Sequence, residues 1–187
     1  METDAETTFG PTEPSVRAAR RRVAELYRSV TAVRDELSAA VNAAVPQRTP
    51  NLSALLGAEL AARLLAQAGN LDRLARFPAS TIQVLGAEKA FFEHLRGRAP
   101  PPRHGLLFLH PAIQSAPRAE RGKLARALAG KAAIAARLDR AGAPADPTLS
   151  RAFEARRARV REAGRARGRG GRRRDSGKPL HRASRDR

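Results

Sequence analysis

The sequence predicts a multihelical chain, and three observations carry that reading. An apolar repeat recurs every seven residues from Val16 to Ala44. Several Ala- and Leu-rich stretches follow, separated by Pro, Gly and Asn. A long Ala-rich segment then runs from residue 117 to residue 141.

Residues 1–14, "METDAETTFGPTEP", are polar and Pro-bearing and read as a disordered leader. They carry neither the basic nor the apolar region of a signal peptide. Residues 15–45 read as one helix, with Ser15 able to cap it and Pro46 expected to end it. Val16, Val23, Val30, Leu37 and Ala44 form the first set of its heptad seam, and Ala19, Leu26, Val33 and Ala40 the second. Such a seam serves a coiled coil or helix hairpin, or it packs on its own domain.

"PQRTPNL" (46–52) reads as a hinge, because two prolines four residues apart break a helix. Ser53 is then a candidate N-cap and Gly69 a candidate C-cap for one largely buried helix. Asn70 can cap a short helix, "LDRLARF", that stops before Pro78. Residues 79–96 are helical, with a candidate break at Gly86, and residues 97–105 form a loop. The run "LLFLH" (106–110) is too short for its periodicity to settle its type. Residues 117–141 form a helix and residues 141–147 a linker.

From residue 151 the composition shifts, and the last 37 residues hold 15 Lys or Arg against four acids. A basic helix is a candidate over 151–163, and "GRARGRGGRRR" is an Arg/Gly-rich run unable to bury a core. Residues 142–187 therefore read as a disordered basic tail, suited to nucleic acid or, more blandly, to solubility.

Across 187 residues the formal net charge is +18 and the pI about 11.8, which points to polyanionic partners. Nucleic acid comes first and an anionic membrane second. The 15–45 helix has no Trp or Phe and is a poor interfacial anchor, so no membrane partner is expected. Cysteine is absent, which excludes disulfides and thiolate metal sites. The four histidines (94, 104, 110 and 181) lack ligand spacing, and no phosphate-loop, dinucleotide, serine-hydrolase or zinc-protease motif occurs. No catalytic residue, metal or cofactor is expected.

At 100° per residue, Lys123, Arg126, Gly130 and Arg137 fall in one narrow arc of the 117–141 helix. Leu124, Ala127, Leu128, Ile134, Ala135 and Leu138 are assigned to the packing face, and Lys131 falls on that apolar side. A helical glycine is unfavourable by about 0.5–1 kcal/mol relative to alanine. Between cations it lets a phosphate backbone come close. The plain alternative is a solvated charged face.

A helix over 81–95 would place Val84, Leu85, Phe91, Phe92 and Leu95 on one face with Glu88 at its centre. A carboxylate there is costly unless paired. Either Gly86 breaks the helix and Glu88 sits in a first turn, where the helix dipole favours it, or the face meets a partner. Lys89 can also pair with Glu93 one turn on.

The stretches "TPNLSALLGAELAARLLAQAGNLDRLARFPASTIQVLGAEKAFF", "HGLLFLHPAIQSAP" and "RGKLARALAGKAAIAARLD" closely resemble the Nop domain, from about Pro46 to Asp139. The archaeal and eukaryotic core proteins of box C/D ribonucleoproteins share that domain with a pre-mRNA splicing factor. The resemblance implies an all-α Nop domain over 46–141 and a non-catalytic RNA-binding scaffold of the 2′-O-methylation guide machinery. Such a domain recognises a kink-turn RNA together with its bound, ribosomal-type kink-turn protein. It implies a protein-facing surface at Gly86, Ala87 and Glu88, and RNA contacts from Lys89, His110, Lys123, Arg126, Lys131 and Arg137. Phe91 and Phe92 are expected to hold that corner from inside. Pro111 departs from the small polar residue usual in the family. Full-length archaeal relatives also carry a fibrillarin-docking domain and a two-helix coiled coil. Residues 15–45 resemble only the second of those helices, so an N-terminally truncated form is expected. Fibrillarin would then be reached through a separate subunit, and the seam would pair with a copy of itself or another chain. An archaeal protein of this kind belongs in the cytoplasm, a eukaryotic one in the nucleolus. The remaining alternative is a general basic RNA- or ribosome-associated protein that kept the fold alone.

Overall fold

Glycine and proline punctuate the helices of this chain, though not always where the sequence suggests. The structure, a computed structural model, describes residues 13–175, with side chains through residue 166. The leader up to residue 12 and the tail beyond residue 175 lie outside the described residues. All regular structure among the described residues is helical, so the chain is all-α.

Two units are described separately, one ending at Val41 and the other beginning at Asn42. The first consists of most of α1 (Glu13–Arg48). No residue of α1 is buried, and the seam residues Val23, Leu26, Val30, Val33 and Leu37 are 54–67% exposed. The seam thus does not pack on its own unit. Pro46 does not end the helix, contrary to expectation. The proline removes one backbone donor near the C-terminus, but the Thr49 N–H and hydroxyl both reach the Val45 carbonyl at 2.9 Å and carry the turn past it.

The expected hinge is therefore a one-residue joint at buried Thr49. Helix α2 (Pro50–Leu56) starts with Pro50 in the first turn, where proline loses nothing. Its start lies three residues before Ser53, and a distant carboxylate explains why. Asp139, 6% exposed, accepts from the Asn51 N–H (2.8 Å), the Asn51 side-chain amide (2.9 Å) and the Leu52 N–H (2.9 Å). These donors are otherwise orphaned at a helix start. Asn51 also donates to the carbonyls of Ala143 (3.2 Å) and Pro144 (3.1 Å) and accepts from the Asp146 N–H (2.8 Å), fastening the 141–147 linker.

Gly57, at φ +82°, divides the single helix expected over 53–69 into α2 and α3 (Ala58–Ala68). Gly69 and Asn70 act as expected. The Asn70 side chain accepts from the Arg73 N–H at 2.8 Å and starts α4 (Leu71–Arg76). Helices α5 (Ala79–Val84) and α6 (Glu88–Leu95) are separated at Gly86, so the broken-helix alternative holds. Gly86 has φ +82°, and a Cβ there would lie 2.6 Å from Leu106 Cγ. The chain returns beside it, with the Gly105 and Leu106 N–H groups donating to the carbonyls of Gln83 and Leu85, both at 2.8 Å. The undecided "LLFL" run is a 3-10 helix (Leu106–Leu109), followed by the single turn of α7 (Pro111–Gln114).

Helix α8 (Arg118–Arg140) is the axis of the second unit and packs against α2, α4, α5, α7 and α9. Its small residues Ala125, Ala129, Ala132, Ala135 and Ala136 admit neighbours closely and are fully buried. Helix α9 (Pro147–Asp175) corrects the expectation of a disordered tail from residue 142. Asp146 starts it by accepting from the Thr148 N–H at 2.8 Å. Leu149, Phe153 and Val160 are then buried in the core, apolar anchors that the basic composition conceals.

Candidate nucleic-acid interface

The buried face of α8 dictates what it exposes. Lys123, Arg126 and Arg137 are exposed, and Gly130 lies between them with nothing within 4 Å of an added Cβ. Packing therefore does not require glycine at position 130. Ile134, assigned to the core by sequence, is 40% exposed. It lies four residues after Gly130 and three before Arg137, so it belongs to the same ridge. The ridge thus reads Lys123, Arg126, Gly130, Ile134, Arg137. Lys131 is half-buried on its shoulder.

Both ends of the ridge are anchored. The Arg137 Nε donates to the Ala75 carbonyl at 3.2 Å, near the end of α4. Beside it Arg140 pairs with Asp72 at 2.9 Å. At the other end Lys123 and Arg126 line a groove of about 660 Å³ with Gln83, Pro100, Arg103 and Arg156. No acid lines this groove. Gln83 ties its wall to the loop by donating to the Arg103 carbonyl at 2.8 Å. Sequence reasoning missed Gln83, Arg103 and Arg156, which come from three separate elements. Only Arg156 carried a signal, as part of the candidate basic helix.

The corner at Gly86, Ala87 and Glu88 is a second surface. Glu88 opens α6, its Oε1 accepting from the Gly86 N–H at 2.7 Å and the Gln67 side chain at 3.1 Å. The Gly86 N–H, and then its own backbone N–H, hold the exposed carboxyl below the usual carboxylate range. Glu88 thus stays ionised at neutral pH. Lys89 is exposed and does not pair with Glu93, which faces Arg96 (3.5 Å) and Arg98 (3.9 Å) instead. Phe91 and Phe92 do not hold the corner from inside. They are 41% and 57% exposed, with ring centroids 6.5 Å apart, and Leu95 is 65% exposed. Breaking the helix at Gly86 rotates α6 relative to α5, so the apolar face of one continuous helix never forms.

His110 joins neither surface by direct contact. It caps α7, its Nδ1 accepting from the Ala112 N–H at 3.2 Å, and its ring meets Phe153 edge-on at 5.5 Å. Burial pushes its pKa below the ordinary histidine value, partly opposed by a backbone hydrogen bond at Leu55. Pro111 suits this arrangement as the first residue of α7. Nearby, His104 stacks on Phe108 at 4.7 Å with Arg121 over the same ring at 5.3 Å.

The Nop family, described as "snoRNA binding domain, fibrillarin", matches residues 12–161. A NOP5 family protein of Methanocaldococcus jannaschii is 57% identical over 96 residues, which is 51% of this chain and 23% of that protein. Nucleolar protein 58 of Scheffersomyces stipitis is 44% identical over 119 residues, 64% of this chain and 23% of its own length. Human nucleolar protein 56 is 43% identical over 111 residues, 59% of this chain and 19% of its own. The chain thus spans about a fifth to a quarter of the length of these relatives. A solved fibrillarin/Nop5p complex has a chain of similar fold, with a TM-score of 0.58 and 35% identity over 82% of this chain and 56% of that one.

Proposed function

Because the chain belongs to the Nop family, we propose that it is a non-catalytic RNA-binding scaffold of a box C/D-type guide ribonucleoprotein. It recognises a kink-turn RNA together with the small protein already bound to that RNA. The exposed basic ridge of α8 carries this reading. Lys123, Arg126 and Arg137 contact phosphates there, with Arg103 and Arg156 extending the surface at the groove. Lys131 flanks the ridge, and His110 supports RNA contact through the position of α7. At the second surface Lys89 meets RNA, while Gly86, Ala87, Glu88 and the rim of Phe91, Phe92 and Leu95 face the bound protein. An ionised carboxylate beside exposed aromatics suits a protein better than a phosphate.

Fibrillarin is the proposed further partner, supported by the likeness of this chain to one in the solved fibrillarin/Nop5p complex. The exposed α1 seam supports helical pairing with a second copy or with another chain. An electrophoretic shift of kink-turn RNA, with and without its cognate protein, tests the scaffold reading. Strong dependence on that protein is expected. Equal binding without it would favour a general RNA- or ribosome-associated protein, a reading supported by the arginines of α9.

A further inference from the structure

The α8 ridge is not uniformly basic, and its order suggests what shape of RNA it takes. Cations stand at both ends, Lys123 and Arg126 at one and Arg137 at the other. Gly130 and Ile134 lie between them, one without a side chain and one apolar and 40% exposed. From Arg126 to Arg137 the helix advances eleven residues, about 16 Å at 1.5 Å per residue. Each end is held by a different part of the fold. Arg137 is tied to the Ala75 carbonyl, and Lys123 and Arg126 share a groove with Arg103 and Arg156.

We propose that α8 straddles the minor groove of an A-form RNA stem, its two cationic ends on opposite phosphate strands and the Gly130–Ile134 saddle against the sugar edges between them. This rests on the RNA-binding reading above and adds the form of RNA that the ridge accepts. The minor groove of A-form RNA is wide and shallow, so a saddle without long side chains still meets its floor. In B-form DNA the groove of comparable width, about 12 Å, is about 8.5 Å deep. That groove takes a helix inside it, whereas α8 is packed by α2, α4, α5, α7 and α9 and has only one ridge free to enter. A single strand offers no second phosphate row, and its binding sites rely on aromatic stacking platforms. The ridge has none, since Phe91 and Phe92 stand on α6 and Phe108 is covered by His104 and Arg121.

The test uses the full chain, its Gly130→Leu variant and its Lys123→Ala/Arg126→Ala/Arg137→Ala variant. Three probes are titrated: an RNA hairpin with an uninterrupted stem, the DNA hairpin of the same sequence, and polyuridylate. Gly130→Leu fills open space and raises helix propensity, so melting by circular dichroism should stay at or above the parent. The parent chain should prefer the RNA hairpin to the DNA hairpin by about tenfold or more. Gly130→Leu should weaken the RNA hairpin about tenfold, leave polyuridylate within about twofold, and keep the salt slope because the cations remain. Equal parent affinity for the two hairpins, or an equal effect of Gly130→Leu on hairpin and polyuridylate, would overturn the straddling mode. Unchanged binding of every RNA by the triple variant would instead remove RNA from the ridge altogether.

Discussion

Helices α1 and α8 are the two long helices whose apolar patterns stand out most clearly in the sequence, and they use those patterns in opposite ways. The 36 residues of α1 leave their heptad seam in solvent, whereas the 23 of α8 are enclosed on most sides and expose one ridge. The difference lies in side-chain size. Alanines at the α8 contacts let several helices approach its axis, while the valines and leucines of α1 build a raised seam that calls for a facing helix. Amphipathicity states that a face will be covered and leaves open what covers it.

A sharp break in this comparison should come at Asp139, where α8 holds the start of α2. Asp139→Ala strands the N–H groups of Asn51 and Leu52 in a buried site. A loss of about 2–4 kcal/mol is expected in urea unfolding. Next come truncations of one leucine on each helix. Leu128→Ala, at 0% exposure, should cost about 2–5 kcal/mol, while Leu26→Ala, at 65%, should change monomer stability by less than about 0.5 kcal/mol. A large effect of Leu26→Ala that grows with protein concentration would reveal the helical partner of α1.

Acid should then loosen the α7–α9 contact through His110. Its pKa is lowered in the folded chain, so its contribution is complete above the ordinary value of 6.5. That contribution falls as pH drops below 6.5 toward the folded pKa, because the unfolded chain takes up the proton first. His110→Gln should flatten this part of a pH–melting profile. Gly130→Ala should act in the opposite direction, stabilising α8 by about 0.5–1 kcal/mol, since no neighbour opposes a Cβ there.

Much of the fold was readable in local signals. The Asn70 cap, the break at Gly86 and the length of α8 all follow from residues within a few positions of the feature. What was not readable depends on distant partners. The start of α2 is set by Asp139, 88 positions from Asn51. The order of α9 is set by three apolar anchors within an arginine-rich segment. At the candidate site, the Lys123–Arg126–Arg137 ridge was legible because one helix carries it. Ile134 was misplaced although its spacing puts it on that ridge. Arg103 and Gln83 were hidden because a loop and α5 bring them to the groove. Phe91 and Phe92 were misread because a single glycine turns α6 away from the face that α5 buries.

RNA binding at the α8 ridge is tested most directly by the salt dependence of the affinity for kink-turn RNA. The slope of log affinity against log salt should be about 2–3 units shallower for Lys123→Ala/Arg126→Ala/Arg137→Ala than for the parent, near 0.9 per lost phosphate contact on a duplex. A slope unchanged within error, with the variant still folded, would contradict it.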